Sequence, residues 1–190
     1  VLPDQFVDQT KRRIGTFFDR GIVVHVAFAE PICHGLAAAL LRAARGAGAS
    51  VHQGGVYLCI EGPQFSSQGE SLLYRQWGVD VIGMTNLPEA KLAREAELCY
   101  ATMALVTDYD CWHESEAAVT VEAVLATLEK NVELAKRVLR AVLPVAAEPR
   151  GCLCARALEH AVLTVPRRIP TATRKRLSLL IGRYLPRRRT

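Results

Sequence analysis

Residues 79–112 read VDVIGMTNLPEAKLAREAELCYATMALVTDYDCW. Val79–Met84 (VDVIGM) is a short apolar run that predicts a strand. Asn86 is expected to cap a helix over Leu87–Cys99, with Pro88 in its first turn and Glu89 and Glu95 in its charge pattern. Ala101–Thr107 (ATMALVT) predicts a second buried strand, with Asp108-Tyr-Asp-Cys-Trp112 at its C-terminal end. Strand, helix and strand follow one another within 34 residues. The same alternation continues on both sides. Upstream, Val1–Arg20 reads as a strand end and a loop, and the β-branched run Gly21–Ala29 as a buried strand. Cys33–Ala47 has helical spacing and stops at Gly46 and Gly48. Val51–Ile60 is a strand region interrupted by Gly54-Gly55, and Ser67 with Glu70 forms a capping-box signature ahead of Glu70–Trp77. Downstream, Thr120 starts a long helix to about Leu143, with Val121, Val124, Leu125, Leu128, Val132, Leu134 and Ala135 on one side. Pro144–Pro149 reads as a linker, and two shorter helices are predicted near Cys152–Thr164 and Thr171–Tyr184. Apolar strands alternating with helices predict an α/β fold, a central sheet flanked by helices.

The composition allows such a core. The chain has 190 residues, half of them apolar and 23% charged, which excludes a disordered class. No apolar run reaches the roughly 20 residues of a membrane span, so no membrane partner is expected. Val1-Leu-Pro-Asp4 has no signal-peptide character, and a first residue that is not Met suggests processing or a cut from a longer chain. The six cysteines, Cys33, Cys59, Cys99, Cys111, Cys152 and Cys154, read as reduced thiols of a cytoplasmic protein. Cys152-Leu-Cys154 is a C-x-C pair, but no other Cys or His stands at zinc-finger spacing from it, so no metal site is expected. The net charge of +5 gathers in the last quarter, at Arg167-Arg168, Arg174-Lys-Arg176 and Arg187-Arg-Arg189. No aromatic residues interleave there as stacking platforms, so the cluster reads as a solvated helix face and tail, not a nucleic-acid surface.

Ligands of open α/β sheets gather at the C-terminal ends of the strands. That selects Glu61–Phe65, Met84–Asn86 and Asp108–Asp110. Asp108 and Asp110 are two apart, and in an extended segment such residues point the same way. Two adjacent acceptors suit a ligand edge with two donors, such as protonated N7 and the N6 amine of adenine. A carboxyl that keeps its proton near neutral pH can also deliver it to a departing purine. The same pair would equally serve as turn caps. Thr85 offers a hydroxyl to phosphate and Met84 an apolar face to a sugar, or both belong to ordinary packing. Phe65 is a stacking wall or a core aromatic, and His25 a core histidine on residue chemistry alone.

Five blocks carry a resemblance: Pro3–Thr10, Ile60–Ser66, Tyr74–Thr85, Glu89–Ala96 and Ala104–Trp112. Together they resemble the methylthioadenosine phosphorylases of the purine nucleoside phosphorylase family, closest to the bacterial members. The likeness runs from Pro3 to about Leu143 and more loosely through Cys152–Tyr184. It implies a mixed central sheet of nucleoside phosphorylase type, with 1–190 as one domain and 145–190 as a helical C-terminal extension with a basic tail. It implies phosphorolysis of 5′-methylthioadenosine in purine and methionine salvage, with inorganic phosphate as co-substrate, no cofactor or metal, and a homotrimer. By matching position, Asp108 and Asp110 hold the adenine edge, with Asp108 at N7. Phe65 stacks near the base, Met84 contacts the ribose, Thr85 binds phosphate, and Ser66 and Val121 govern substrate preference. His25 reaches a neighbouring subunit's pocket. Related 6-oxopurine phosphorylases favour Asn where this pocket has Asp, because an amide can donate to the 6-oxo group.

There are departures. Gln68 stands where the family has a basic residue and Gly69 where it has Ala. A Gly-rich phosphate loop and an Arg-His phosphate contact, found in the first third of the family pattern, do not occur in these residues. The sheet is therefore expected to be incomplete on its N-terminal side. The chain by itself is expected to hold the purine side of the site and to turn over little, or to act as a binding or oligomerisation module.

Overall fold

Four of the five residues of β2 (Val56–Ile60) are buried, and this strand is the middle of the sheet. The structure, a computed structural model, describes residues 1–113, 121–146 and 151–186. β1 (Gln5–Gln9) pairs with β2 in parallel, Gln5 opposite Val56 and Gln9 opposite Ile60. β3 (Val81–Gly83) pairs with its other edge, also in parallel, Tyr57 opposite Val81. Both ladders are parallel, and the antiparallel pairing among the described residues, Val24 with Val162, is an isolated bridge outside the sheet.

A run buried on both faces is what a parallel strand covered by helices on each side requires. Tyr57 and Cys59 pack with Leu87 and with Ala90 of α3 (Glu89–Glu95), and Leu58 and Ile60 pack with Tyr74 of α2 (Gln68–Gln76). The period of two thus sorts the strand between two helices. α2 (Gln68–Gln76) begins at the capping box predicted for it: the Ser67 hydroxyl accepts from the Glu70 backbone N–H, and the Glu70 carboxylate accepts from the Ser67 N–H. α1 (His34–Gly46) buries Ala39, Leu40 and Ala44 against Val138 and Val142 of α4 (Val121–Ala146).

Several predicted elements differ. α3 spans only Glu89–Glu95. Asn86 is not its side-chain cap. Asn86 sits at φ 71° and its Oδ1 accepts from the Tyr100 and Thr102 hydroxyls. The helix ends early because Glu97 turns left-handed at φ 58°, and the Leu98 N–H closes back on the Ala93 carbonyl. Residues 101–107 belong to no sheet strand. Ala104 exchanges two backbone hydrogen bonds with Val1, and the Val106 carbonyl accepts from Asn131 of α4. Residues 21–29 are likewise not a buried strand. Ile22 is buried and Val24, Val26 and Phe28 are half-buried, while Val23, His25 and Ala27 are exposed.

The C-terminal part explains that alternation. His25 N–H donates to the Ala161 carbonyl and Leu163 N–H to the Val23 carbonyl. Phe18 and Ile22 join Leu158, Ala161, Ile169, Leu177 and Ile181 in one apolar cluster. The helix predicted near Cys152–Thr164 is one 3₁₀ turn, Leu153–Arg156, followed by turns. The helix predicted over Thr171–Tyr184 is broken at Leu177 into α5 (Thr171–Arg176) and α6 (Ser178–Ile181). The predicted linker fares differently, since α4 continues through Pro144 to Ala146, and 147–150 lie outside the described residues.

Candidate active site

The ends of β2 and β3 are tied together by one side chain that sequence reading did not single out. Arg13 donates from Nη1 to the Met84 and Leu87 carbonyls at 2.7 and 2.6 Å. From Nη2 it donates to the Ile60 and Glu61 carbonyls at 3.3 and 2.8 Å. A planar fork with five donors suits four carbonyls converging from two strand ends. Glu61 adds an ion pair to Arg13 at 3.5 Å and accepts from the Lys11 N–H. At Gly62, φ is 71°, and a Cβ there would meet the Met84 sulfur at 2.6 Å. Glycine is therefore required for the turn and for the half-buried Met84 to lie across it.

The third tip docks on α2. Ser71, buried on that helix, donates its hydroxyl to Asp110 Oδ2. One helical turn further, the Arg75 guanidinium lies 3.9 Å from the centroid of the Trp112 ring. Cys111 Sγ donates to the Ser66 carbonyl at 3.7 Å, which brings the first and third tips side by side. Tyr109 stacks on His113 with centroids 4.6 Å apart, and Trp112 meets the same ring edge-on. Burial, and then the carboxylates of Glu70 and Asp110, push the Tyr74 hydroxyl up, so it stays protonated on the buried face of α2. The spacing of Ser71 and Arg75, one turn apart, is visible in the sequence, but their partner segment lies some 40 residues away and is not.

The predicted residues are placed as follows. Asp110 is half-buried and held by Ser71, while Asp108 is exposed and accepts from the Thr107 hydroxyl. Each carboxylate is oriented by a different hydroxyl. Phe65 is exposed, at 87%, beside the half-buried Ser66. Thr85 is exposed and its hydroxyl lies 3.4 Å from the Tyr57 hydroxyl. Gly83 permits that approach, since any Cβ there would collide with the Tyr57 hydroxyl at 1.9 Å. His25 is exposed on the segment paired to Ala161 and belongs to none of the three tips. The side chain of Val121 lies outside the described residues.

The fold brings two further cysteines to the Cys152-Leu-Cys154 pair. Cys33 and Cys99, 53 or more residues away in sequence, meet that pair in space. Burial alone would raise the Cys152 thiol, but the Cys154 backbone N–H and the neighbouring thiols bring it down to about 7. Burial and the adjacent thiols raise Cys154 to about 11 and Cys99 well above its ordinary value. Elsewhere, a groove of about 480 Å³ runs between α1 and α4, lined by Arg42, Arg137 and small apolar residues, and no residue of the three tips lines it.

The model of the phosphorylase superfamily matches residues 1–144. The S-methyl-5′-thioadenosine phosphorylase of Geobacter sulfurreducens is 53% identical over 186 residues, 97% of this chain and 65% of that protein. The protein of the same name from Synechocystis sp. is 55% identical over 190 residues, 98% of this chain and 58% of that protein. A methylthioadenosine phosphorylase from an antarctic soil metagenomic library has a similar structure, with a TM-score of 0.86 at 46% identity, covering 94% of this chain and 64% of that one. The methylthioadenosine phosphorylase of Schistosoma mansoni in complex with adenine gives a TM-score of 0.71 at 30% identity, covering 95% and 64%. The chain thus spans 58–65% of the length of these two curated relatives. With its parallel sheet, its tips gathered by Arg13 and α2, and a family match over three-quarters of its residues, the chain belongs to the phosphorylase superfamily.

Proposed function

We propose that the protein catalyses phosphorolysis of 5′-methylthioadenosine, in purine and methionine salvage in the cytoplasm. Phosphate oxygen bonds to C1′, the C1′–N9 bond breaks, and adenine leaves with a proton at N7 while 5-methylthioribose 1-phosphate forms. The observation that carries this reading is the carboxylate pair at the third tip, with Asp110 oriented by Ser71 on α2. A carboxylate acceptor matches the 6-amino group of adenine, whereas a 6-oxo group needs a donor. The shared name of the relatives supports the same substrate.

In this reading Asp108 serves N7, where a proton on the leaving base lowers the barrier to its departure. Asp110 takes the N6 amine, Phe65 covers the base, Met84 lies against the ribose and Thr85 holds phosphate. Ser66 and Val121 shape the preference for the 5′ group. Inorganic phosphate is the co-substrate, and the chemistry uses no cofactor. The assembly is a homotrimer in which His25 closes the 5′ pocket of a neighbouring subunit. Its exposed position on the outside of residues 21–28 supports that placement.

The test is phosphate-dependent release of adenine from 5′-methylthioadenosine by the purified full-length enzyme. Asp108→Ala is expected to lower turnover roughly 100-fold or more, the range of a lost acid–base group. Asp110→Asn is expected to shift preference from 6-amino toward 6-oxo purines. An enzyme that releases no adenine, or an Asp110→Asn variant with unchanged preference, would defeat the assignment.

A further inference from the structure

We propose that Cys33, Cys99, Cys152 and Cys154 form a structural zinc site. Their four sulfur atoms all lie within 4.8 Å of one another. The Cys99 and Cys152 sulfurs are 3.4 Å apart. A tetrahedral zinc with Zn–S bonds near 2.3 Å has sulfur–sulfur edges of about 3.8 Å. The observed span brackets that value, so the metal fits with side-chain shifts under about 1 Å. None of the four is in a disulfide.

The donor set selects the metal. Four thiolates and no oxygen or nitrogen donor suit a soft or borderline ion in tetrahedral geometry. Cys33 and Cys154 are buried, and Cys99 and Cys152 half-buried. With all four positions filled by protein, no place remains for water or substrate, which is the arrangement of a structural site and not a catalytic one. None of the four cysteines belongs to a strand tip of the candidate active site. As bare thiols they would be weak donors and acceptors crowded against one another.

The ligands come from three places that the chain must hold together. Cys33 is the residue before the first turn of α1, and its N–H donates to the Tyr100 carbonyl at 2.8 Å, next to Cys99. Cys152 precedes the 3₁₀ turn that carries Cys154. Glu97 fastens the same junction. Its carboxylate accepts from the Leu158 N–H, the Tyr184 hydroxyl and Arg183. Zinc would thereby staple residues 151–186 to the start of α1 and to the turn after α3. That fixes Ala161 and Val162, against which the segment bearing His25 is paired. The site works by positioning, so its signature is metal content and stability.

The test uses the full-length protein, produced in zinc-supplemented medium and purified with a non-chelating reductant. Elemental analysis is expected to give one zinc per chain. Cobalt(II) put in its place is expected to show the strong absorption of a tetrahedral thiolate site. The Cys152→Ser/Cys154→Ser variant is expected to lose the metal, while Cys111→Ser, which alters a thiol outside the cluster, keeps it. Stripping the zinc from the wild-type protein is expected to lower Tm by about 5 °C or more. Zinc-free wild-type protein with four titratable thiols at these positions overturns the proposal. So does iron in place of zinc, or a disulfide among the four after reducing purification.

Discussion

Arg13 directs its guanidinium at four main-chain carbonyls and leaves one carboxylate, Glu61, to balance its charge. Arg13→Met would take the guanidinium donor away from all four carbonyls, leaving the Cys59 thiol on those of Ile60 and Leu87. Hydrogen bonds to charged groups are worth about 1.5–3 kcal/mol each, but water replaces part of that at this half-buried position. Urea unfolding should therefore show a loss of about 2–4 kcal/mol, with Arg13→Lys recovering only part because an ammonium lacks the fork. Ser71→Ala removes the hydroxyl that orients Asp110, and kcat/KM for 5′-methylthioadenosine should fall about tenfold, the worth of one such bond. Asp8 supplies the pH dependence. Burial alone would raise its carboxyl, but bonds from Lys91 and Thr10 outweigh that and hold it below the ordinary value. A depressed folded pKa means the contribution is complete above the unfolded value near 4 and is lost as pH falls through the folded one. Acid unfolding of Asp8→Asn should consequently lack part of the stability loss seen in the wild type below about pH 4. At this scale the sequence displays the acceptors better than the groups that aim them. Asp108 and Asp110 are legible as a pair after an apolar run. Ser71 and Arg13 are not, because what makes them important lies 39 and 47 or more residues away.

Elements were legible where their signals are local. The capping box of α2 needs only Ser67 and Glu70, and both halves of it form. Ser67→Ala should cost about 1 kcal/mol in thermal or urea unfolding, the usual worth of an N-cap. Gly62→Ala should cost more than that, since it opposes a left-handed φ and the Met84 sulfur at once, and the same measurement separates the two variants. Residues 21–29 and 101–107 show the opposite case. Both are rich in apolar residues, and β-propensity reports fitness for a half-buried surface without naming a partner. One segment pairs with Ala161 and Leu163, more than 135 residues away. The other is held by Val1 and Asn131, and neither pairing leaves a periodic trace in the segment itself. The early end of α3 was hidden for a related reason. Glu97 adopts its left-handed turn where its carboxylate can collect donors from 158, 183 and 184.

Across the whole molecule, the α/β class follows from the alternation of apolar runs and helices; the sheet expected to be mixed is parallel in both ladders among the described residues, and two of the three tips, after β2 and β3, fall where such sheets bind ligands. The apolar stripe predicted on α4 is buried only in part. Of the predicted residues, Leu134 packs with Val138 and Val142, which were not predicted, in the cluster against α1, while Leu125, Leu128 and Val132 are exposed, followed at helical spacing by Leu139 and Leu143. A continuous apolar stripe on an otherwise charged helix is the kind of surface that assembly covers. Leu128→Glu should shift the light-scattering mass of the proposed homotrimer toward the monomer, and an unchanged mass would place its subunit contact elsewhere.

The apolar cluster that joins Phe18 and Ile22 to Leu158, Ala161, Ile169, Leu177 and Ile181 has a consequence for the order of events during synthesis. The ribosome releases residues 18–26 about 130 residues before the packing surface and the ladder partner that they settle against. Until then Ile22 and the His25 backbone lack the apolar surface and the ladder partner that place them, whereas the sheet and α2 can already close. The part of the chain proposed to reach into a neighbour would take its shape only once residues 158–181 have emerged, so the subunits of the proposed assembly would meet after that point.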